Sequence, residues 1–186
     1  MAQIFAYIIH KDGVLDDSAM ELVVAAKKID PAAAVTAIVV GSGVDAVCTE
    51  AASIYNEVWK IDNADLAYPN AEAIRKALVN IIPKGSIILI PHNTFGMDLG
   101  PGLSIKLDTA FAADVVDIEG VDGDTLKLVR QEYSGMVSTH VTCDASAGAV
   151  ITIRPGSCQP DESKTAGGAV TDKSGDAGDI TTNRRF

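Results

Sequence analysis

Cysteine is scarce in this chain, and metal-ligand spacing is missing from it. Cys48, Cys143 and Cys158 are odd in number and never fall as CxxC, which argues against a disulfide framework or a zinc site and points to inert thiols. His10, His92 and His140 are scattered, and none takes the i, i+4 spacing of a helical metal site. Basic residues are few, 15 Lys and Arg against 25 Asp and Glu, for a net charge of −10. A nucleic-acid partner, which needs a basic stripe to displace counterions, is thereby excluded. No apolar run reaches the roughly 18 to 20 residues of a membrane span, and MAQIFAYIIHK lacks the basic start and small-residue cleavage site of a secretion signal. No membrane insertion is expected, and the cytoplasm or its organellar equivalent is the expected compartment.

What is present is a rhythm. Length and composition fit a single core, 47% apolar over 186 residues. Strand-like runs at residues 4–9 and 35–40 alternate with helix-period segments at 18–29 and 44–54, the βαβα order of a parallel sheet. Ser18 and Glu21 have capping-box spacing, and Leu22, Ala25, Ala26 and Ile29 form one stripe. A short third strand is expected at 57–61, and a third helix, capped by Asn70, at 71–82. The all-apolar run 86–90 belongs at the sheet's centre, because only a strand covered on both faces reads that way. A helix is expected from near Pro101, a residue suited to a first helical turn. After it, strand-like runs follow one another with no long helix between, predicting antiparallel or mixed additions, with 120–123 as the tightest turn. Residues 1–158 are therefore expected as one α/β domain. Residues 159–186, where Val170 and Ile180 are almost the only aliphatics, are expected as a flexible linker or tail.

Candidate chemistry is sparse. Gly41, Ser42, Gly43, Val44, Asp45 and Ala46 satisfy G-x-G-x-x-G/A, with Asp62 about 20 residues on. The motif follows the second strand rather than the first, so a tight glycine turn is the stronger reading than dinucleotide binding. The first strand's end (Ile9, His10), the loop Gly41, Ser42, Gly43, and His92, Asn93 and Thr94 after the central strand all fall where a doubly wound sheet places ligands. They are weak nucleotide-rim candidates; Lys11 reads as solvated. A catalytic His92 needs a partner held against it, and Asp98 is the one local carboxylate. No G-x-S-x-G elbow occurs. Arg154 reads as an anion ligand or, more commonly in so acidic a chain, one half of a salt bridge. Trp59, the single tryptophan, is core or interface. No catalytic or metal-binding residue is assigned.

The block IILIPHNTFGMDLGPGLSIKL (87–107), with AAKKI, IVVGSGVDA, DVVDIE, Tyr133 to Gly135 and VITIRPG in that order, resembles the amino-terminal domain of the electron transfer flavoprotein alpha subunit. The resemblance spans residues 4–158. It implies a three-layer α/β fold of the adenine nucleotide alpha hydrolase type, with helices on both faces of a mainly parallel sheet and no chemistry of its own. It further implies FAD in a carboxyl-terminal domain beyond this stretch, so that these residues are not expected to hold the flavin, and AMP in the beta subunit only. The implied partners are that beta subunit, in a heterodimer, and acyl-CoA or related dehydrogenases through the full complex. The implied compartment is a bacterial or archaeal cytoplasm, or the mitochondrial matrix. A free-standing adenine-nucleotide module of the universal-stress-protein type is the alternative.

Overall fold

The computed structural model describes residues 2–160 and 167–182. Strand β1 (Ile4–Ile8) leads into a small hairpin of β2 (His10–Lys11) and β3 (Val14–Leu15), then helix α1 (Ser18–Ile29), β4 (Val35–Gly41), α2 (Asp45–Ala51) and β5 (Glu57–Asp62). After one 3-10 turn come α3 (Ala71–Ile81), β6 (Ile87–Pro91) and α4 (Thr94–Leu107). Strands β7 (Ala110–Asp122), β8 (Thr125–Glu132), β9 (Val137–Asp144) and β10 (Ala149–Ile153) follow, and β11 (Ala169–Asp172) precedes a last 3-10 turn, Ser174–Asp176.

Nine strands make one sheet in the order β11-β5-β4-β1-β6-β10-β7-β8-β9. Every pair from β11 to β7 is parallel, and β8 and β9 extend it antiparallel. Strands β1, β6 and β10 are buried at every position, so successive side chains feed two separate cores. Ile4, Ala6 and Ile8 pack with Leu22, Ala26 and Val47 from α1 and α2. Phe5 and Tyr7 pack with Ile74, Leu78, Leu99 and Leu103 from α3 and α4 on the other face. This is the expected three-layer architecture, with β6 in the middle of the sheet.

Four local expectations are corrected. Glu21 does not close a capping box: both its oxygens accept the Gly156 N–H at 2.9 Å, and Oε2 also takes Cys158 N–H at 3.3 Å. The Asp16 carboxylate holds the helix start instead, through the Ser18 amide and hydroxyl. The long-range use wins because Glu21 is buried against the turn after β10, whose amides have no ladder partner. Helix α4 begins at Thr94 rather than near Pro101, which lies inside it. The Asn93 carboxamide accepts the Gly96 N–H at 2.8 Å and starts the helix earlier; burial of Leu99, Leu103 and Leu107 offsets the one backbone bond that Pro101 omits. Helix α2 is shorter than its pattern, ending at Ala51. The tight turn falls at Gly123 and Asp124, with Gly120 inside β7 at a register shift.

A fifth correction concerns the carboxyl-terminal stretch. Residues 161–166 and 183–186 of the expected tail lie outside the described residues, but 167–182 are ordered onto the domain. Strand β11 pairs in parallel with β5 from Ala169↔Glu57 to Asp172↔Lys60. Ala177 and Ile180 enter the α3–α4 core. Lys173 lies over the Trp59 ring, 5.4 Å from its centre, and Phe5 packs on that ring at 4.9 Å. A polar segment gains order here because an exposed strand edge supplies its backbone hydrogen bonds. Deleting residues 167–186 is expected to lower stability by about 3 kcal/mol through loss of the Ile180 and Ala177 burial, and to red-shift Trp59 emission. Urea denaturation followed by fluorescence reads both; an unchanged midpoint and spectrum would show that the segment contributes nothing.

Candidate functional site

Parallel strands align their carboxyl ends on one rim, and the order β4-β1-β6 sets the predicted rim loops side by side. Ile9 joins the α3–α4 core. The His10 ring bonds the Val40 carbonyl through Nε2 at 3.0 Å. It lies on Gly41, where an added Cβ would stand 2.7 Å from Val44 and 2.9 Å from His10 Nε2. Ser42 and Gly43 are exposed, but the amides that would face a phosphate are engaged: Asp62 accepts Gly43 N–H at 2.9 Å and Val44 N–H at 3.3 Å. The acidic residue that the motif would assign to a ribose closes the loop as its own anion. The Gly43 and Val44 amides of this loop are thus taken by Asp62 and not presented to a pyrophosphate. Asn93 caps α4, and Thr94 opens it.

The neighbouring ends of β6, β10 and β7 carry a connected polar cluster. Thr152, fully buried in β10, bonds His92 Nδ1 at 2.9 Å and accepts the Asp114 N–H at 3.0 Å. The ring's other nitrogen, Nε2, faces Asp114 Oδ1 at 3.8 Å. Asp114 sits at a register shift where β7 bulges against β10, with a left-handed φ of 57°. Arg154 grips its carboxylate with a two-pronged fork, Nε to Oδ1 at 2.8 Å and Nη2 to Oδ2 at 2.6 Å, and reaches Gln131 Oε1 with Nη1 at 2.6 Å. That fork holds the Asp114 carboxyl below the usual carboxylate range against the opposing effect of burial, with His92, Arg154 and Arg130 adding charge.

The cluster contains the residue types of a hydroxyl–imidazole–carboxylate relay, yet its geometry is that of a brace. Thr152 has no access to a substrate, and the carboxylate is committed to Arg154. The strained bulge persists because three strands converge to hold it. Arg154 takes the salt-bridge role, within its own chain. The carboxylate set against His92 is Asp114 rather than the adjacent Asp98, a pairing that only the β7–β10 register produces. Among the described residues no three His, Cys, Asp or Glu side chains converge on a metal position. Burial pushes the thiols of Cys48, Cys143 and Cys158 up, Cys48 to about 11 even with Lys60 lowering it. No helix of the described residues is long and apolar enough to cross a membrane.

Fold and rim together define an α/β domain of the doubly wound class whose strand ends are tied to one another rather than open to a reacting group. The chain belongs to the electron transfer flavoprotein domain family, whose description matches residues 4–177. It is similar to the protein FixB of Clostridium saccharobutylicum, 26% identical over 82% of this chain and 47% of that one. It is also similar to the electron transfer flavoprotein subunit alpha of Syntrophomonas wolfei, 28% identical over 91% and 53%, and to the mitochondrial alpha subunit of Arabidopsis thaliana, 27% identical over 78% and 41%. The resemblance to the alpha subunit's amino-terminal domain thus covers most of the chain. The chain spans about half the length of the curated relatives it matches.

Because Asp114 titrates lower in the folded state than in the unfolded, the unfolded chain binds more protons in the acid range. The stabilisation is present above the ordinary aspartate value, about 3.9, and is lost as pH falls through the folded one. Asp114→Asn, which tolerates a left-handed φ, is expected to lower stability at pH 7 and to flatten the fall in stability below about pH 4. Thermal melts from pH 7 downward check this; a parallel acid limb in the variant would assign the effect elsewhere.

Proposed function

We propose that this protein is the non-catalytic amino-terminal alpha domain of an electron transfer flavoprotein, a docking surface for the beta subunit and a tether for the FAD-bearing domain. Electrons would pass from acyl-CoA or related dehydrogenases to FAD and onward, in a heterodimer in which AMP belongs to the beta subunit. Relatives named as alpha subunits support this reading, as does a rim whose polar groups engage one another. The same rim weighs against a free-standing adenine-nucleotide module using Ile9, His10, Gly41, Ser42, Gly43, His92, Asn93 and Thr94, since Asp62 and His10 already serve the β4 loop. The proposed compartment is the bacterial or archaeal cytoplasm, or the mitochondrial matrix.

The observation that carries the docking role is the β8–β9 arm. At its tip, Tyr133 is 75% exposed, Met136 86% and Val137 45%. Tyr133 and Ser134 hold left-handed φ of 51° and 55° ahead of Gly135 at 86°, a conformation that costs a non-glycine residue roughly 1–2 kcal/mol. Three exposed apolar side chains within five residues at such a turn support a contact with another chain.

Tyr133→Ser with Met136→Ser is expected to weaken capture of the co-expressed beta subunit by about tenfold or more with an unchanged melting temperature. Tyr133→Gly, which relieves the backbone, should raise the melting temperature while still weakening capture. Full capture by both variants would remove the arm from the interface. The purified protein on its own is expected to be colourless, with no flavin absorbance band; a stoichiometric yellow flavin would overturn the proposal that these residues hold none.

A further inference from the structure

A cleft of about 620 Å³ opens on the far side of the molecule from α1 and α2, bounded by α3, the last turn of α4 and residue Asp179. Its charge runs against that of the chain. Arg75, Lys76 and Lys106 face it with only Glu72 and Asp179 opposed, in a protein of net charge −10. Most of these groups already have partners. Lys76 donates to the Thr181 carbonyl at 2.6 Å and lies 3.8 Å from Glu72. Glu72 accepts the Thr182 hydroxyl at 3.2 Å. Asp179 accepts the Thr181 N–H at 2.8 Å, and the Asn80 carboxamide donates to the Ala177 carbonyl at 2.8 Å. Val79 supplies an apolar wall.

Arg75 and Lys106 line the same cleft but make no ion pair or hydrogen bond with any of the described residues. Arg75 is also seated rather than trailing in solvent. Its guanidinium lies across Gly102 of α4, where a Cβ would stand 2.1 Å from Nη1 and 2.8 Å from Cζ. Glycine at 102 therefore makes the groove in which a planar fork of five N–H donors is held half-buried, with no acceptor among the described residues. A fork beside a mobile ammonium is the pairing that suits a multi-oxygen anion, and the volume falls within the roughly 300–1,000 Å³ of small-ligand pockets.

We propose that this cleft is a binding site for a small phosphate-bearing anion, gripped by Arg75 and Lys106. It is independent of the rim loops and of the β8–β9 arm. The test is a two-dimensional amide NMR titration of the whole chain with inorganic pyrophosphate, at ionic strength held constant with sodium chloride. Saturable shifts confined to α3, the end of α4 and residues 177–182 are expected, weakened at least about fivefold by Arg75→Gln or by Lys106→Gln. Gly102→Ala, which evicts the guanidinium and leaves the charge count intact, should weaken binding in step; Lys127→Gln, on the β8–β9 arm, should not. Shifts that do not saturate, that chloride alone reproduces, or that persist in both Arg75→Gln and Lys106→Gln would overturn the proposal.

Discussion

Burying both faces of β1, β6 and β10 is the constraint from which the rest of the molecule follows. A strand with no polar face cannot sit at a sheet surface, so helices must cover it on two sides. Strands joined through such crossovers run parallel, and their carboxyl ends then collect on one rim. The division of β1 into Ile4, Ala6 and Ile8 on one core and Phe5 and Tyr7 on the other is the smallest expression of that constraint. Among the described residues the buried polar side chains are few: Ser18, Glu21, Asn70, Ser86, Ser104 and Thr152.

At the rim, the polar groups satisfy one another. Asp62 serves the two amides of the β4 loop, His10 covers Gly41 and bonds Val40, and Arg154, Asp114, Thr152 and His92 close a network across three strands. A site evolved for turnover keeps at least one reactive group reachable and one carboxylate uncommitted. Here the hydroxyl is sealed and the carboxylate paired. The consequence is stiffness: the strand ends are locked in register, and Glu21 staples α1 to the turn after β10 on the same side. Such a frame suits the docking role proposed for this domain.

Legibility in the sequence tracked the range of the interactions involved. Asn70 and the Ile74–Leu78 stripe announced α3 because a cap and a 3.6-residue period are written within a dozen residues. Glu21 was misread for the same reason: local spacing offered a capping box, while the true acceptors' partners, Gly156 and Cys158, lie more than a hundred positions away. Asp114 was invisible as His92's counterpart because the bulge that aims it exists only once β7 lies against β10. The carboxyl-terminal stretch was misjudged on composition. Val170, Ala177 and Ile180 are too few to fold alone, yet β5 presents an open edge and α3 a groove, so the cost of ordering is met by surfaces made elsewhere.

That return of the chain also shapes the outer face of α3 and α4. Residues 177–182 take up Lys76, Asn80 and Glu72 as partners, while Arg75 and Lys106 of the same cleft have no ion pair or hydrogen bond among the described residues. Had the segment trailed free, Lys76 and Asn80 would lack these partners and the surface would be a plain helical face with a mixture of charges. The segment that follows the strand on the sheet's edge therefore also walls the cleft, through Asp179. The two features stand or fall together: a chain unable to seat β11 on β5 would lose the cleft's Asp179 wall along with its cover over Trp59.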